Sequence, residues 1–238
     1  METLKDKVAL ITGGTKGIGR GIAAALLHQG MKVAITGRDE KGAQEAAYQL
    51  TENDSYILGI AADVRDYKSQ QKAVKAVLDK FGKIDVLIAN AGLGHFESIA
   101  DMSIAQWDET IDTNLTGVFY SVKASLDAIK KSEGYIFTIS SLAGTNFFEK
   151  GTAYNASKFG LTGFTQALMM DLRQDNVKVT TIMPGSVSSN FGGRSPEDGT
   201  DWRIQPEDLG QITVDLLKMH PRTLPSKIEV RPSKPPVK

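Results

Sequence analysis

Short apolar runs alternate with longer amphipathic segments along almost the whole chain. The apolar runs do not alternate strictly between apolar and polar positions, which is typical of parallel strands buried on both faces of a sheet. The pattern predicts seven strands, at Val8–Ile11, Val33–Ile35, Ile57–Ala62, Val86–Ala89, Tyr135–Ile139, Val177–Ile182 and Ile228–Val230.

The segments between the strands have the apolar spacing of helices. They are predicted at Gly17–Gln29, Glu40–Leu50, Ser69–Phe81, Ile104–Lys130, Ala153–Leu172 and Pro206–Leu217. Regular alternation of strand and helix implies right-handed crossovers and a doubly wound α/β fold, with helices on both faces of one parallel sheet. Since no linker or repeat divides the chain, residues 1–238 are expected to form one domain. Residues 232–238 are expected to be a surface extension.

Composition narrows the function classes. Lys plus Arg and Asp plus Glu are equal at 28 each, so there is no cationic excess for binding nucleic acid. The absence of cysteine excludes disulfides, thiolate nucleophiles and cysteine-ligated zinc, and the three histidines are not paired as metal ligands. With neither a signal peptide nor an apolar run long enough to span a bilayer, a cytoplasmic protein is expected.

A glycine-rich turn follows the first predicted strand. The segment Thr12–Gly19 has glycines at 13, 14, 17 and 19, which permit close backbone approach to a ligand. The helix that begins near Gly17 would offer free N–H groups to a phosphate, at the sheet edge where dinucleotides bind. The spacing differs from both Gly-x-Gly-x-x-Gly and the Walker motif. Taken alone, it also fits a strand-to-helix turn without a ligand.

A tyrosine and a lysine stand four residues apart at the start of a predicted helix, so Tyr154 and Lys158 share one helix face. A nearby ammonium favours the tyrosinate, which would suit the pair to proton transfer at a carbonyl oxygen. Ser141 follows the fifth strand and could donate to the same oxygen. A surface pair and a capping serine are the structural alternatives, and Asn114, in the middle of a predicted helix, could mark a local kink.

Taken together, these motifs resemble the classical short-chain dehydrogenase/reductase family over about Lys7 to Val230. The motifs in order are the glycine turn, Asn90-Ala91-Gly92, Asn114, Ser141, Tyr154-Asn155-Ala156-Ser157-Lys158 and Pro184-Gly185. The resemblance implies a Rossmann-type fold and an NAD(P)-dependent oxidoreductase that interconverts a carbonyl and an alcohol.

The resemblance also implies residue roles. Tyr154 would be the proton donor, and Lys158 would lower its pKa and hold the nicotinamide ribose. Ser141 would orient the carbonyl, and Asn114 would hold a water that leads to Lys158. The implied cofactor-binding residues are Gly13, Thr15, Lys16, Gly17, Ile18, Gly19, Arg38, Asp63, Val64, Asn90, Ala91, Gly92, Tyr154, Lys158, Pro184, Gly185, Val187 and Ser189. Asp63 would contact the adenine, and Val187 and Ser189 the carboxamide.

The end of the second strand predicts NADP rather than NAD. An acidic residue there would bind the adenosine ribose of NAD, but Gly37 occupies that position and Arg38 follows it. Arg38 and Lys16 are expected to converge on the additional phosphate of NADP. The alternative is that both are solvated charges, with Asp39 neutralising Arg38.

The family resemblance leaves the substrate open. It implies an aromatic pocket lined by His95, Phe96, Phe147, Phe148 and Phe191 and a substrate-covering loop at residues 190–205, expected to be mobile. The chain end Ile228–Pro232 differs from the end of many acyl-carrier-protein reductases, although such a reductase remains an alternative. So does a non-catalytic dinucleotide-binding or redox-sensing protein, whereas a sugar epimerase would need an additional substrate domain.

The family resemblance also implies a homodimer or homotetramer, formed by the helix that ends near Lys130 and the helix that begins at Ala153. These helices carry more apolar residues than one sheet face needs, namely Phe119, Val122, Leu126, Leu161, Phe164, Leu168, Met169 and Met170. The alternative is that all of them face the sheet.

Overall fold

A computed structural model of the protein describes residues 3–189, 191 and 201–235. The strands are β1 (Val8–Ile11), β2 (Lys32–Gly37), β3 (Ile57–Ala61), β4 (Val86–Ala89), β5 (Tyr135–Ile139), β6 (Lys178–Pro184) and β7 (Lys227–Val230). The helices are α1 (Gly17–His28), α2 (Glu40–Leu50), α3 (Tyr67–Phe81), α4 (Ile104–Ile111), α5 (Gly117–Lys131), α6 (Thr152–Leu172) and α7 (Pro206–Leu217).

The strands form one parallel seven-stranded sheet in the order β3-β2-β1-β4-β5-β6-β7. The order reverses at β1, so the chain winds outward first to one side and then to the other. This confirms the predicted doubly wound fold. Because all strands run the same way, their carboxyl ends meet along one edge, with a crevice next to β1 where the winding direction changes.

Two apolar cores cover the two faces of the sheet. Alternate residues of the central strands point into different cores: Ala9 and Ile11 contact one, while Val8 and Leu10 contact the other. Helices α1 and α7 pack on the first face, and helices α3, α5 and α6 pack on the second. The central strands β1, β4 and β5 are buried along their whole length, as the uninterrupted apolar runs predicted.

The structure divides the long helix that was predicted at Ile104–Lys130. Helix α4 leads into one turn of π-helix at Asp112–Thr116, and α5 follows it. Asn114 lies in this π turn. Such a turn adds a residue to the helix and commonly occurs at functional sites. The sequence pattern missed it because apolar spacing continues across it.

Several element ends also differ from the predicted ones. Helix α3 begins at Tyr67 because the Asp66 side chain accepts from the Lys68 amide and caps the helix there. Strand β6 extends to Pro184, whose register partner is Val230 of β7.

Most of the segment expected to be a mobile loop, residues 190–205, lies outside the described residues, as do the last three residues of the expected tail. In the parts of the chain that the structure describes, no helix is long and apolar enough to cross a membrane.

Candidate active site at the carboxyl edge of the sheet

The glycine turn packs directly against the end of β4. The Thr12 hydroxyl accepts from the Asn90 amide at 3.0 Å and the Ala91 amide at 3.1 Å. In return, the Asn90 side chain donates to the carbonyls of Thr12 at 2.9 Å and Gly13 at 3.0 Å. Gly13 has a φ of 64°, and a Cβ there would lie 2.9 Å from Ala91 Cα. Position 13 must therefore be glycine for the ends of β1 and β4 to meet.

The amino end of α1 lies at this turn. Lys16 is the N-cap residue and makes no side-chain capping bond, and the first turn holds no acidic residue. By contrast, α2, α3 and α4 are capped by Asp39, Asp66 and Ser103. An uncapped helix start offers N–H donors and a positive dipole end to an anion.

Helix α6 brings its tyrosine and lysine into the protein interior. Lys158 is 4 % exposed and Tyr154 is 9 % exposed. The Lys158 ammonium donates to the carbonyl of Ile139, the last residue of β5, at 2.9 Å. It lies 5.7 Å from the centre of the Tyr154 ring. The pair is therefore not a surface helix pair, which was the structural alternative to a catalytic role.

Burial dominates the electrostatics of this pair. It raises the pKa of Tyr154, a rise that a hydrogen bond with Ser141 partly offsets, and it lowers the pKa of Lys158 to about 8. Burial has this effect on both groups because loss of solvation disfavours both charged forms. The sequence-based expectation that the ammonium lowers the tyrosine pKa stays a prediction.

Ser141 lies between β5 and the site. Its hydroxyl accepts from the Ala143 amide at 3.1 Å, so it does cap a single 3₁₀ turn. It also donates to the Pro184 carbonyl at 3.4 Å, and it lies close enough to Tyr154 to offset part of the rise in the pKa of that phenol. The Ser141 hydroxyl thus joins the ends of β5 and β6 beside Tyr154.

Asn114 is fully buried and is held on three sides. Its side chain accepts from the Leu93 amide at 2.9 Å and donates to the Leu93 carbonyl at 2.8 Å and to Ser157 Oγ at 3.0 Å. A Cβ on Gly92 would lie 3.2 Å from Asn114 Oδ1 and 3.6 Å from Lys158 Nζ. Glycine at position 92 therefore leaves open the space between the two side chains.

The segment after β6 reaches back towards the glycine turn. Val187 forms a bridge with Ile204, and a Cβ on Gly17 would lie 3.5 Å from Ser189 Cβ. Pro184 and Gly185 lie beside the end of β7, where the Gly185 amide donates to the Val230 carbonyl. The expected carboxamide-binding segment is thus next to the expected phosphate-binding turn.

The expected adenine contact, Asp63, lies after β3 and is already engaged. Arg65 binds its carboxylate, with the shortest contact at 2.7 Å, and holds the pKa of Asp63 below its usual value. Arg65 also contacts Glu109 at 3.4 Å, and Glu109 bonds His95 at 2.9 Å. This chain of polar side-chain contacts connects the loops after β3 and β4, and His95 is one of its members. Val64, next to Asp63, is buried against Gly117.

Three of the five residues expected in an aromatic pocket surround Tyr154. Phe96, Phe148 and Phe191 each lie within ring-contact distance of it. Phe147 is 85 % exposed and makes no ring contact among the described residues, and the His95 ring binds Glu109 instead. Spacing alone could not separate Phe147 from Phe148, because they are neighbours that point in different directions.

Sequence reasoning assigned no role to several residues that hold the site together. Asn155 donates to the carbonyls of Ala143 at 2.8 Å and Asn146 at 2.7 Å, and Ser157 donates to the Tyr154 carbonyl at 2.8 Å. Both lie inside the Tyr-to-Lys motif, which was the available signal. Nothing in the sequence marked Arg65 and Glu109, since their pairing is long-range.

Comparison with known proteins gives the family. A family model described as short chain dehydrogenase matches residues 7–199. An uncharacterized oxidoreductase of Staphylococcus saprophyticus is 34 % identical over 238 residues, covering 98 % of this chain and 100 % of the relative. The chain belongs to the short-chain dehydrogenase family. As a member of it, the protein is an NAD(P)-dependent oxidoreductase with small-molecule substrates.

Solved structures agree with this family assignment. The alcohol dehydrogenase from the archaeon Thermococcus sibiricus, complexed with 5-hydroxy-NADP, matches with a TM-score of 0.90 at 28 % identity, over 98 % of this chain and 99 % of that one. A 3-ketoacyl-(acyl-carrier-protein) reductase from Brucella melitensis, complexed with NADH, matches with a TM-score of 0.86 at 26 % identity, over 97 % and 98 %. Short-chain dehydrogenases on this fold thus bind a nicotinamide cofactor of either kind.

The buried lysine of this short-chain dehydrogenase makes stability depend on pH. The pKa of Lys158 is about 8 in the folded protein against an ordinary 10.5, so between these values the unfolded chain binds more protons. Stability contributed by this site therefore rises as pH increases through that window. Lys158→Met removes the ionisation. We expect the free energy of unfolding of the wild type, minus that of Lys158→Met, to rise from about pH 8 to about pH 10.5, as measured by urea titration. A difference that stays constant across this window would contradict it.

Proposed function

We propose that the protein is an NADP-dependent reductase of ketones, aldehydes or oxo-acyl groups, acting reversibly, with Tyr154 as the general acid and base. The observation that carries the proposal is the placement of the buried Tyr154 beside the part-buried Ser141 hydroxyl at the carboxyl edge of β5, where Ser141 offsets part of the rise in the pKa of Tyr154. A carbonyl oxygen placed at these two hydroxyls would have both a proton donor and an orienting hydrogen bond.

The residues at this edge fit a nicotinamide dinucleotide. The uncapped amides of Gly17, Ile18 and Gly19 at the start of α1 would bind its phosphates. Lys158 would hold a ribose, and the turn residues Gly13 and Thr15 together with Asn90, Ala91, Gly92, Asp63, Val64, Pro184, Gly185, Val187 and Ser189 would line the remainder of the cleft. When bound, the nicotinamide supplies or accepts the hydride.

The chain's own groups manage the proton. The raised pKa of Tyr154 keeps the phenol protonated at neutral pH, the form that donates to a carbonyl oxygen during reduction. Ser141 would hold that oxygen in line as negative charge develops on it. Asn114 and Lys158, with open space between them at Gly92, would hold a water through which Tyr154 recovers a proton.

Two named alternatives remain open. The likeness to a 3-ketoacyl-(acyl-carrier-protein) reductase favours that enzyme as a specific version of the proposal. A binding-only protein would not need Tyr154, Ser141, Asn114 and Lys158 together.

We also propose that the whole chain is one cofactor-binding and catalytic domain, which the single continuous sheet supports. We also propose a cytoplasmic location for the protein.

The catalytic proposal is tested by Tyr154→Phe, which keeps the ring and removes the proton. We expect kcat for carbonyl reduction to fall on the order of 10²–10⁴-fold, with the Kd of NADPH nearly unchanged. Steady-state kinetics and fluorescence titration measure the two quantities. The control is Tyr120→Phe, which removes a hydroxyl from a ring packed on Tyr67. Turnover by Tyr154→Phe at near the wild-type rate would rule out the mechanism.

Three features near β2 support NADP as the preferred cofactor. Asp39 caps α2 by accepting from the Gly42 amide at 2.6 Å, and Arg38 makes no ion pair with it among the described residues. A Cβ at position 37 would lie 2.7 Å from Thr15 Cγ2, so a carboxylate there would require Thr15 to move. Arg65 is the main cause that lowers the pKa of Asp63, and the charge of Arg38 adds a smaller effect, so Arg38 lies within electrostatic range of the loop after β3. Lys16, the N-cap residue of α1, directly follows Thr15.

Cofactor choice is tested by Arg38→Ala. A hydrogen bond to a charged group contributes about 1.5–3 kcal/mol, so NADPH binding should weaken roughly ten- to a hundredfold while NADH binding changes little. Isothermal titration with both cofactors measures this. The matched control is Lys41→Ala, which removes an exposed cation that pairs with Glu45 on α2. Equal wild-type affinity for NADH and NADPH would show the preference to be absent.

We further propose a homodimer or homotetramer formed through α5 and α6. Of the apolar residues expected to be in excess, Val122 and Leu161 are buried against the sheet. Phe119 and Met170, however, are 46 % and 49 % exposed, and Phe159 is also exposed. Exposed apolar groups on one face mark an interaction surface. We expect light scattering at micromolar concentration to give a dimer or tetramer mass, and Phe119→Lys to reduce it. A monomer mass for the wild type would contradict this.

A further inference from the structure

The Tyr154 ring is enclosed by three phenylalanine rings. The centre of the Phe96 ring is 5.3 Å from that of Tyr154 in an edge-on arrangement, and Phe191 and Phe148 lie at 5.6 Å and 6.5 Å. Phe96 also contacts Phe148 at 5.9 Å and Phe191 at 6.2 Å. The four rings thus form a continuous aromatic cluster centred on Phe96.

Two glycines make room for this cluster. A Cβ at Gly94 would lie 2.7 Å from Phe96 Cζ and 3.1 Å from Phe191 Cε1. A Cβ at Gly151 would lie 2.9 Å from Phe148 Cε2. Any larger residue at either position would push the rings away from their places.

The loops that carry Phe96 and Phe148 are joined to each other. Glu97 and Gly151 form a parallel β-bridge between them. Asn155, on the first turns of α6, donates to the Asn146 carbonyl at 2.7 Å and so holds the second loop against the helix that carries Tyr154. The aromatic cluster is therefore built into the site by backbone and side-chain bonds.

Enclosure by rings has a consequence for any substrate of the proposed reductase. Tyr154 is 9 % exposed, and the three phenylalanine rings pack against its ring, so a substrate whose carbonyl group reaches Tyr154 contacts the cluster. Phe148, at 48 % exposure, is the ring with the most freedom to adjust. The space next to Phe96 is then flat and apolar, and the ring side chains offer no hydrogen-bond donor to a polar substituent.

We propose that the substrate is an aryl carbonyl compound, an aldehyde or ketone whose aromatic ring is held by Phe96 and Phe148 while its oxygen meets Tyr154 and Ser141. Offset and edge-on ring contacts stabilise an aromatic guest beyond the burial of apolar area alone. The aromatic ring of the substrate thereby replaces any ring contact that the cluster gives up when the substrate binds. This proposal rests on the reductase function proposed above and adds the substrate class.

The test compares two aldehydes that have the same number of heavy atoms, benzaldehyde and cyclohexanecarbaldehyde. The quantity measured is kcat/KM for benzaldehyde divided by kcat/KM for cyclohexanecarbaldehyde, both with NADPH. Comparing this ratio between wild type and variants cancels the intrinsic reactivity of each aldehyde. We expect Phe96→Leu and Phe148→Leu each to lower the benzaldehyde-to-cyclohexanecarbaldehyde ratio by roughly two- to tenfold, which is the contribution of one ring contact.

The matched control is Phe147→Leu, next to Phe148 in sequence but 85 % exposed, which should leave the ratio unchanged. NADPH titration and thermal melting verify that each variant is folded. Because Phe148 is half exposed, its variant decides the matter even when Phe96→Leu is unstable. An unchanged ratio in Phe148→Leu overturns the aryl proposal while leaving carbonyl reduction intact. If the wild type oxidises NADPH with neither aldehyde and with no carbonyl compound of a wider panel, the reductase function itself is overturned.

Discussion

The hydrogen bond from the buried Lys158 ammonium to the Ile139 carbonyl is the contact on which the site depends. A buried cation needs a partner, since leaving it unpaired is costly, and the carbonyl at the end of β5 provides one at 2.9 Å. This bond positions the first turns of α6 against the carboxyl edge of the sheet. Tyr154, one helical turn earlier, is thereby held beside Ser141, the second residue after the same strand.

The burial of Tyr154 and Lys158 also sets the pKa values of these two groups in the protein without cofactor. Removal from water raises the pKa of Tyr154 and lowers that of Lys158, so both groups favour their neutral forms more than they would in solution. A protonated phenol is the form required to donate to a carbonyl oxygen. The aromatic cluster around Tyr154 contributes to this by excluding water from its ring. The proposed substrate selection and the proposed proton donation would thus both depend on one apolar enclosure.

A chain of side-chain contacts connects the two ends of the cleft. Asp63 and Arg65 lie after β3, where the adenine is proposed to bind, and Glu109 extends the chain to His95 beside Phe96. Each member is about one-third exposed, so solvent screens these pairs and each contributes little to stability. Their effect is one of position, because they tie the loop that carries Phe96 to the loop after β3.

The amino-acid sequence by itself determined the doubly wound sheet, the place of the glycine turn and the four candidate catalytic residues. Apolar periodicity and short motifs are local signals, and parallel strands bring their carboxyl ends together whatever the loops do. Only the tertiary structure decided that Phe148 and not Phe147 contacts Tyr154, that Asn114 lies in a π turn, and that Arg65 pairs with both Asp63 and Glu109. Side-chain direction in loops and long-range pairing depend on packing between distant segments, and no local pattern in the chain encodes them.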